Sequence, residues 1–228
     1  DHPDVQELPR PFLIFVKSLF ELFKETLEVA DGTVGSLDVF ENLYEFQRKA
    51  VLRGIHIAEA YGGVIVADVV GMGKSYIGLS LLEHFHREYR LRGNRGRMLI
   101  IAPKNLTPMW EDLERQYRFN AEVISLGLVS QEGFDETLLN EYADVSVCLI
   151  DESHHLRNTK TNRYRNLEQF LPTVGKSILL TATPYTKEVE NLYNQIKLFH
   201  VDDMTDMPIN PPNLREYFKE VRNDRAEL

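Results

Sequence analysis

The chain has 228 residues, of which 43% are hydrophobic and 27% charged, a balance typical of a soluble globular protein. This length allows one domain or two small ones. No apolar run approaches the ~20 residues that a membrane-spanning helix needs, because Lys17 and Glu21 interrupt the best candidate, 12–23. The net charge of -9 excludes a surface that is basic throughout, so a nucleic-acid partner would need local positive patches.

Two segments are locally basic. Residues 87–104 contain six basic side chains and one acid, and residues 157–176 contain five and one. Each segment is either part of a nucleic-acid interface or an ordinary solvated face. The single cysteine, Cys148, excludes an intrachain disulfide and is typical of a reducing compartment. We expect no signal peptide, because the N-terminus is acidic, no membrane association, and a location in the bacterial cytoplasm or nucleoid.

The first predicted elements are a leader, Asp1–Arg10, and an amphipathic helix over 11–30 with phenylalanine and leucine at helical spacing. A second helix is predicted from Leu43 to Tyr61, with Gln47 just inside it. A side-chain amide both donates and accepts hydrogen bonds, which a carboxylate cannot do. A helical glutamine is otherwise simply solvated.

A strand, a turn and a helix are predicted around Val64–Ser75, V-I-V-A-D-V-V-G-M-G-K-S. Its glycines allow the main chain to approach a ligand closely, and the N–H groups of such a turn favour phosphate. Lys74 would reach the β- and γ-phosphates, and the Ser75 hydroxyl would take one position on Mg²⁺. The alternative is a turn that merely closes a strand-helix corner. The predicted nucleotide-binding residues of this loop are Gly71, Met72, Gly73, Lys74 and Ser75.

The next strand, Met98–Ala102, is closed by a loop that contains Lys104. A helix follows, with Thr107 as its cap and Trp110 predicted to pack inward as part of the core. A further strand is predicted over Val123–Leu128.

An acid pair ends the predicted buried strand Val145–Glu152. A carboxylate at a strand tip beside a phosphate loop can orient Mg²⁺, and a second one facing the γ-phosphate can take a proton from the attacking water. We therefore predict Asp151 as the magnesium residue and Glu152 as the general base. Zinc is not expected here, because suitably spaced Cys and His side chains are lacking.

The last predicted elements are a strand over Ser177–Thr183 and helices over Glu188–Phe199 and Leu214–Val221. Strands that alternate with helices, with ligand residues at strand ends, predict a doubly wound α/β domain of RecA-like type with a mostly parallel sheet. We expect the turn with Lys74 and the acid pair to meet across neighbouring strands. The predicted parts are 1–37, a leader and helical extension; 38–200, the RecA-like lobe; and 201–228, a loop and helix.

Four segments, in this order, resemble motifs of the superfamily 2 helicases, particularly of the Swi/Snf-like ATPases. The phosphate loop resembles motif I, although Asp68 stands where the usual loop has its first glycine. The others are Pro103-Lys104-Asn105 (motif Ia), the DEAH-type box Asp151-Glu152-Ser153-His154 (motif II) and Thr181-Ala182-Thr183-Pro184 (motif III). The resemblance covers about Leu43 to Phe199.

This resemblance implies a role for several side chains. Gln47 would read adenine, and Lys104 would contact a nucleic-acid phosphate. His154 would couple the nucleotide site to the next strand by a hydrogen bond, and Thr181 and Thr183 would sense the state of the acid pair. Ser153 replaces the alanine or glycine that is more common in the box.

The resemblance also implies the ATP-binding lobe of a DNA-dependent ATPase, a helicase-like translocase on double-stranded DNA that hydrolyses ATP to ADP and phosphate with Mg²⁺. Such motors have a second RecA-like lobe that supplies arginines, and no Gln-x-x-Gly-Arg-x-x-Arg box occurs here. We therefore expect a first lobe with little or no turnover alone, whose partners are the second lobe and double-stranded DNA. The alternatives are a catalytically silent binding module and a helicase lobe that acts on RNA or in restriction.

Overall fold

The computed structural model describes residues 38–67, 73–93, 96–118, 120–183 and 189–226. The predicted N-terminal helix, Asp68, Gly71 and Met72 lie outside these ranges. The chain divides into two compact units, of which one spans Gly32–Val201 and the other includes Asp202–Leu228.

The larger unit is built on one parallel sheet of five strands in the order β1-β5-β4-β2-β3. Because all strands run the same way, their carboxyl ends lie at one edge of the sheet, where ligands bind in open α/β folds. The strands are β1 (Gly63–Ala67), β2 (Arg97–Ala102), β3 (Ala121–Ser125), β4 (Val145–Ile150) and β5 (Lys176–Thr181).

Helices cover both faces of this sheet. Successive residues of a strand point to opposite faces, so the hydrophobic residues on each face need a layer of helices over them. One core contains Val147 and Leu149 of β4, and the other contains Cys148 and Ile150. The helices of this unit are α1 (Asp38–Glu41), α2 (Glu45–Tyr61), α3 (Lys74–Leu91), α4 (Thr107–Tyr117), α5 (Leu126–Val129), α6 (Phe134–Glu141), α7 (Asn162–Phe170) and α8 (Glu190–Lys197), with 3₁₀ turns at Ser153–Leu156 and Leu171–Thr173.

Helix α3 approaches the sheet closely at Gly78. A Cβ at this position would stand 2.8 Å from Leu180 Cδ1 and 2.9 Å from Leu149 Cδ1. The missing side chain therefore brings the helix that begins at Lys74 close to β4 and β5.

The predicted doubly wound α/β class is confirmed, and most predicted strands lie within two residues of the observed ones. The strand predicted over Val123–Leu128 is wrong at its end, because β3 stops at Ser125. The Ser125 hydroxyl accepts a hydrogen bond from the backbone N–H of Leu128 and begins α5.

The smaller unit is described from Asp202 to Ala226. A β-bridge joins Met204 to Asn213, and helix α9 (Leu214–Ala226) follows. The Asn213 side chain accepts a hydrogen bond from the backbone N–H of Glu216, 3.1 Å away. No helix in the described ranges of the chain is long and apolar enough to cross a membrane.

Candidate nucleotide-binding site

The carboxyl edge of the sheet gathers the ends of the strands that carry the predicted site residues. Lys74 follows β1, Asp151 and Glu152 follow β4, and Thr181 ends β5. The expectation that Lys74 and the acid pair stand on neighbouring strands is wrong, because β5 pairs with both β1 and β4 and lies between them. The strand of the Thr-Ala-Thr segment therefore separates the two.

Gln47 lies against the phosphate loop. It is 6% exposed, and its Nε2 atom is 2.3 Å from where a Cβ on Gly73 would stand. Its Oε1 atom accepts a hydrogen bond from the backbone N–H of Tyr44, 2.9 Å away, at the start of α2. Gly73 has φ +75°, the left-handed conformation that glycine adopts without strain. The fold thus brings together two residues that the sequence places 26 apart.

Lys74 and Ser75 are the first two residues of α3, and both are partly buried. Burial raises the pKa of Asp151, and the positive charge of Lys74 opposes this rise only in part. The α3 N-terminus adds the positive end of a helix dipole to this edge. Gly71 and Met72, which complete the predicted loop, lie outside the described residues.

Asp151 is 7% exposed, and neutral donors bind both of its oxygens. The indole Nε1–H of Trp110 donates to Oδ2 at 2.9 Å, and the backbone N–H of Glu152 donates to Oδ1 at 2.8 Å. Burial raises the pKa of Asp151, and these two bonds and Lys74 act in the opposite direction. Trp110 belongs to the core, as predicted, but its contact with Asp151 is not foreseen by the sequence, because 41 residues separate the two.

Glu152 has φ +51°, a left-handed conformation that costs about 1–2 kcal/mol in a residue with a Cβ. The hydrogen bond from its N–H to Asp151 Oδ1 holds this turn. Its Oε2 atom is buried and lies 2.9 Å from His154 Nδ1, but the two atoms are not aligned as a hydrogen bond. A carboxylate oxygen that is buried without a partner of this kind is typical of a functional site.

The hydrogen bond expected from His154 to the next strand is absent from the described residues. Arg157 links these segments instead, by donating to the carbonyl oxygen and, at 2.9 Å, to the hydroxyl of Thr183. Thr181 is fully buried, and its hydroxyl accepts a hydrogen bond from the backbone N–H of Thr183 at 3.2 Å. Arg157 is not among the predicted site residues, and its place three residues after His154 is the signal in the sequence that points to it.

Ser153 does more than fill the place of a small residue. It is fully buried, and its hydroxyl donates to Gln195 Oε1 of helix α8 at 2.9 Å. In the same helix, Asn194 Nδ2 donates to the carbonyl oxygen of Arg157 at 2.8 Å. Helix α8 is therefore tied to the segment of the acid pair by two hydrogen bonds.

The locally basic segments are not continuous surfaces. Within 87–104, Lys104 is exposed in the loop after β2 at the carboxyl edge, whereas Arg97 begins β2 at the opposite edge and pairs with Asp144 and Glu122. Within 157–176, Lys176 donates to the carbonyl oxygen of Ala58 at 2.9 Å. Only part of each segment can contribute to one nucleic-acid surface.

The donor set of this edge fits Mg²⁺ held together with a nucleotide. Mg²⁺ prefers oxygen ligands, usually one or two from the protein with phosphates and water as the others. The Asp151 carboxylate and the Ser75 hydroxyl are of this type. Among the described residues, no group of three or more His, Cys, Asp or Glu side chains is arranged to hold a metal ion.

No protein-family model matches the chain. Curated relatives do match it. It is 26% identical over 211 residues to the "SWI/SNF-related matrix-associated actin-dependent regulator of chromatin subfamily A-like protein 1" of Xenopus laevis, a match that covers 85% of this chain. It is 30% identical over 155 residues, or 60% of the chain, to the "Uncharacterized ATP-dependent helicase YqhH" of Bacillus subtilis. The chain is therefore similar in sequence to SWI/SNF-related and other helicase-like proteins.

A solved structure adds the fold. The "Sulfolobus solfataricus SWI2/SNF2 ATPase core in complex with dsDNA" matches with a TM-score of 0.57 and 15% identity, over 80% of this chain and 38% of that chain. The predicted RecA-like fold is thereby confirmed. The chain spans 21% of the Xenopus laevis relative and 26% of the Bacillus subtilis relative.

Proposed function

We propose that this chain is the ATP-binding lobe of a DNA-dependent ATPase, a helicase-like translocase on double-stranded DNA that hydrolyses ATP to ADP and phosphate. The observation that carries the proposal is the arrangement around Asp151. This buried carboxyl accepts hydrogen bonds from neutral donors on both oxygens, and Glu152 follows it with a buried oxygen that has no aligned hydrogen-bond donor among the described residues.

Each side chain of the site has a role in this proposal. Lys74 binds the β- and γ-phosphates, and the Gln47 amide, held beside Gly73, reads adenine. Asp151 and Ser75 hold Mg²⁺, which supplies positive charge against the phosphates when bound. Glu152 takes the proton of the attacking water. We propose that Arg157, which donates to Thr183, couples the acid pair to that residue beside His154.

One observation supports a contact with nucleic-acid phosphates, and a second favours double-stranded DNA. Lys104 is exposed in the loop after β2, at the edge that carries the acid pair, so DNA phosphates and the nucleotide would share one edge of the sheet. The similar Sulfolobus solfataricus core has been solved with double-stranded DNA. The chain spans about a fifth of its relatives, so we propose that a second RecA-like lobe of the same protein completes the motor.

Binding of a fluorescent ATP analogue with Mg²⁺ tests the nucleotide site in this chain. Lys74→Ala should weaken binding by about tenfold or more, because it removes the charge that neutralises the phosphates. Lys219→Ala, at an exposed position of α9, is the matched control and should bind like the wild type. Equal affinities for all three proteins would contradict the proposal and favour a binding module without catalysis.

Hydrolysis is measured in the full-length protein with double-stranded DNA, single-stranded DNA, RNA or no nucleic acid. Double-stranded DNA should give the largest stimulation. Stimulation by RNA alone would replace DNA with RNA as the substrate, and the same rate under all four conditions would contradict a nucleic-acid-dependent ATPase.

A further inference from the structure

Trp110 is the only tryptophan of the chain, and it is fully buried. Its indole has a single polar atom, Nε1, which can only donate. That atom donates to Asp151 Oδ2 across 2.9 Å. The contact joins helix α4 to the end of strand β4, so it is a tertiary contact and not a local one.

This hydrogen bond fixes the direction in which the Asp151 carboxylate points. One oxygen is bound by the buried indole of Trp110 and the other by the partly buried backbone N–H of Glu152. An ionised carboxylate has about four lone-pair positions, so two bonds leave acceptor capacity on both oxygens. Hydrogen-bond partners that orient a metal-binding side chain are a general feature of metal sites.

We propose that Trp110 is a positioning residue that orients Asp151 toward Mg²⁺ bound with a nucleotide, and that its fluorescence reports occupation of the site. The inference rests on the proposed nucleotide site. Because one buried indole is the only tryptophan and touches the relevant carboxylate, a new positive charge beside Asp151 changes the electric field at the emitting group.

The first experiment uses the unmodified chain. Tryptophan emission is followed during a titration with Mg²⁺-ADP and, separately, with Mg²⁺ alone. The expected result is a saturable change with Mg²⁺-ADP, with the same midpoint as binding of ADP measured by calorimetry. In Asp151→Asn, which keeps Trp110 but removes the charge, the change should be lost.

The second experiment removes the donor. Trp110→Phe keeps an aromatic ring in the core but has no N–H, and we expect the Mg²⁺ concentration needed for half-maximal ADP binding to rise by about tenfold. ADP binding without Mg²⁺ should be unchanged. Phe85→Leu is the control for a lost buried aromatic volume, because Phe85 lies in the same core on helix α3. It should leave the Mg²⁺ requirement unchanged.

The outcomes separate this inference from the proposed function. Mg²⁺-ADP binding by calorimetry with constant tryptophan emission, or with the same Mg²⁺ requirement in Trp110→Phe and wild type, would overturn the role of Trp110 and leave the nucleotide site in place. An equal rise of the Mg²⁺ requirement in Trp110→Phe and Phe85→Leu would mean that Trp110 contributes only through packing. Failure of the wild-type chain to bind any nucleotide would overturn both. If Trp110→Phe does not fold, the role of Trp110 is tested by the tryptophan emission of the wild type and of Asp151→Asn during titration with Mg²⁺-ADP.

Discussion

Both edges of the parallel sheet carry charged residues, but these residues have different kinds of hydrogen-bond partner at the two edges. At the amino edge, Arg97 donates to both oxygens of Asp144 at 2.9 and 3.1 Å and to Glu122 at 3.1 Å. Tyr142 donates to the other oxygen of Glu122 at 2.7 Å, and burial together with that bond raises the pKa of Tyr142 to about 12. Opposite charges therefore meet directly at this edge.

At the carboxyl edge, the hydrogen bonds to Asp151 come from neutral groups. Glu152 follows in a left-handed conformation, and its buried Oε2 lacks an aligned partner within the described part of the chain. Such an arrangement costs stability, because a buried charged group is best compensated by direct pairing. The exposed charges of the amino edge thus pair directly with one another, whereas both oxygens of the buried Asp151 at the carboxyl edge keep acceptor capacity that a cation could use.

Of the substitutions that test this difference between the two edges, Glu152→Gln should have the largest effect. In the full-length protein we expect ATP hydrolysis to fall by about 10²–10⁴-fold, because the proton acceptor is lost, while nucleotide binding persists. Glu122→Gln applies the same change to the amino edge and should leave the hydrolysis rate unaltered. Steady-state phosphate release measures both variants, and an unaltered rate in Glu152→Gln would remove the base from its proposed role.

Ser153→Ala should lower the free energy of unfolding by about 1 kcal/mol, because the buried hydrogen bond from Ser153 to Gln195 Oε1 would be lost. Urea denaturation measures the loss. Adding Gln195→Met should recover part of it, since the oxygen is then removed as well. Strictly additive effects in this double-mutant cycle would show that the contact contributes nothing.

Gly73→Ala should lower the free energy of unfolding by about 1–2 kcal/mol, because alanine is strained at φ +75°. The added methyl group would also displace the Gln47 amide from the loop. Gly93→Ala is a matched control, since Gly93 has φ +83° but nothing within 4 Å of the added Cβ. Thermal unfolding should be similar in the two variants, and only Gly73→Ala should weaken binding of the ATP analogue. Equal binding would mean that Gln47 does not contact the nucleotide.

Arg97→Met should cost only about 1 kcal/mol at pH 7, because its partners are largely exposed and screened by solvent. The hydrogen bond from Arg97 lowers the pKa of Asp144 below its ordinary value of 3.8. A lowered pKa stabilises the fold above that value, and this contribution is lost as the pH falls below it. The difference from the wild type should therefore be constant from pH 7 to about pH 4 and shrink below.

Unfolding measured across that pH range checks this prediction. Arg115→Met is the control, because Arg115 pairs with Asp112 on one exposed face of α4 and should contribute almost nothing. A difference that grows on acidification would mean that Asp144 is not the partner that matters.

Much of the site could be predicted because its chemistry follows local patterns. Strand periodicity, a glycine turn and the order Lys74-Ser75 are readable within a dozen residues, and the acid pair ends a buried run of six. The left-handed backbone conformation of Glu152 could not be predicted from these patterns, because it depends on the hydrogen bond from its N–H to the Asp151 side chain. The hydrogen bonds from Arg157 to Thr183 likewise depend on where a long side chain points after folding.

The class of the fold and the residues at one edge of the sheet could be predicted from local sequence, because hydrophobic periodicity and turn chemistry act between near neighbours along the chain. Three features emerged only from the folded chain: β5 lies between the strands of Lys74 and the acid pair, Gln47 lies against Gly73, and Trp110 donates a hydrogen bond to Asp151. These are contacts between distant segments, and they follow from how helices pack on the sheet, which no local pattern encodes.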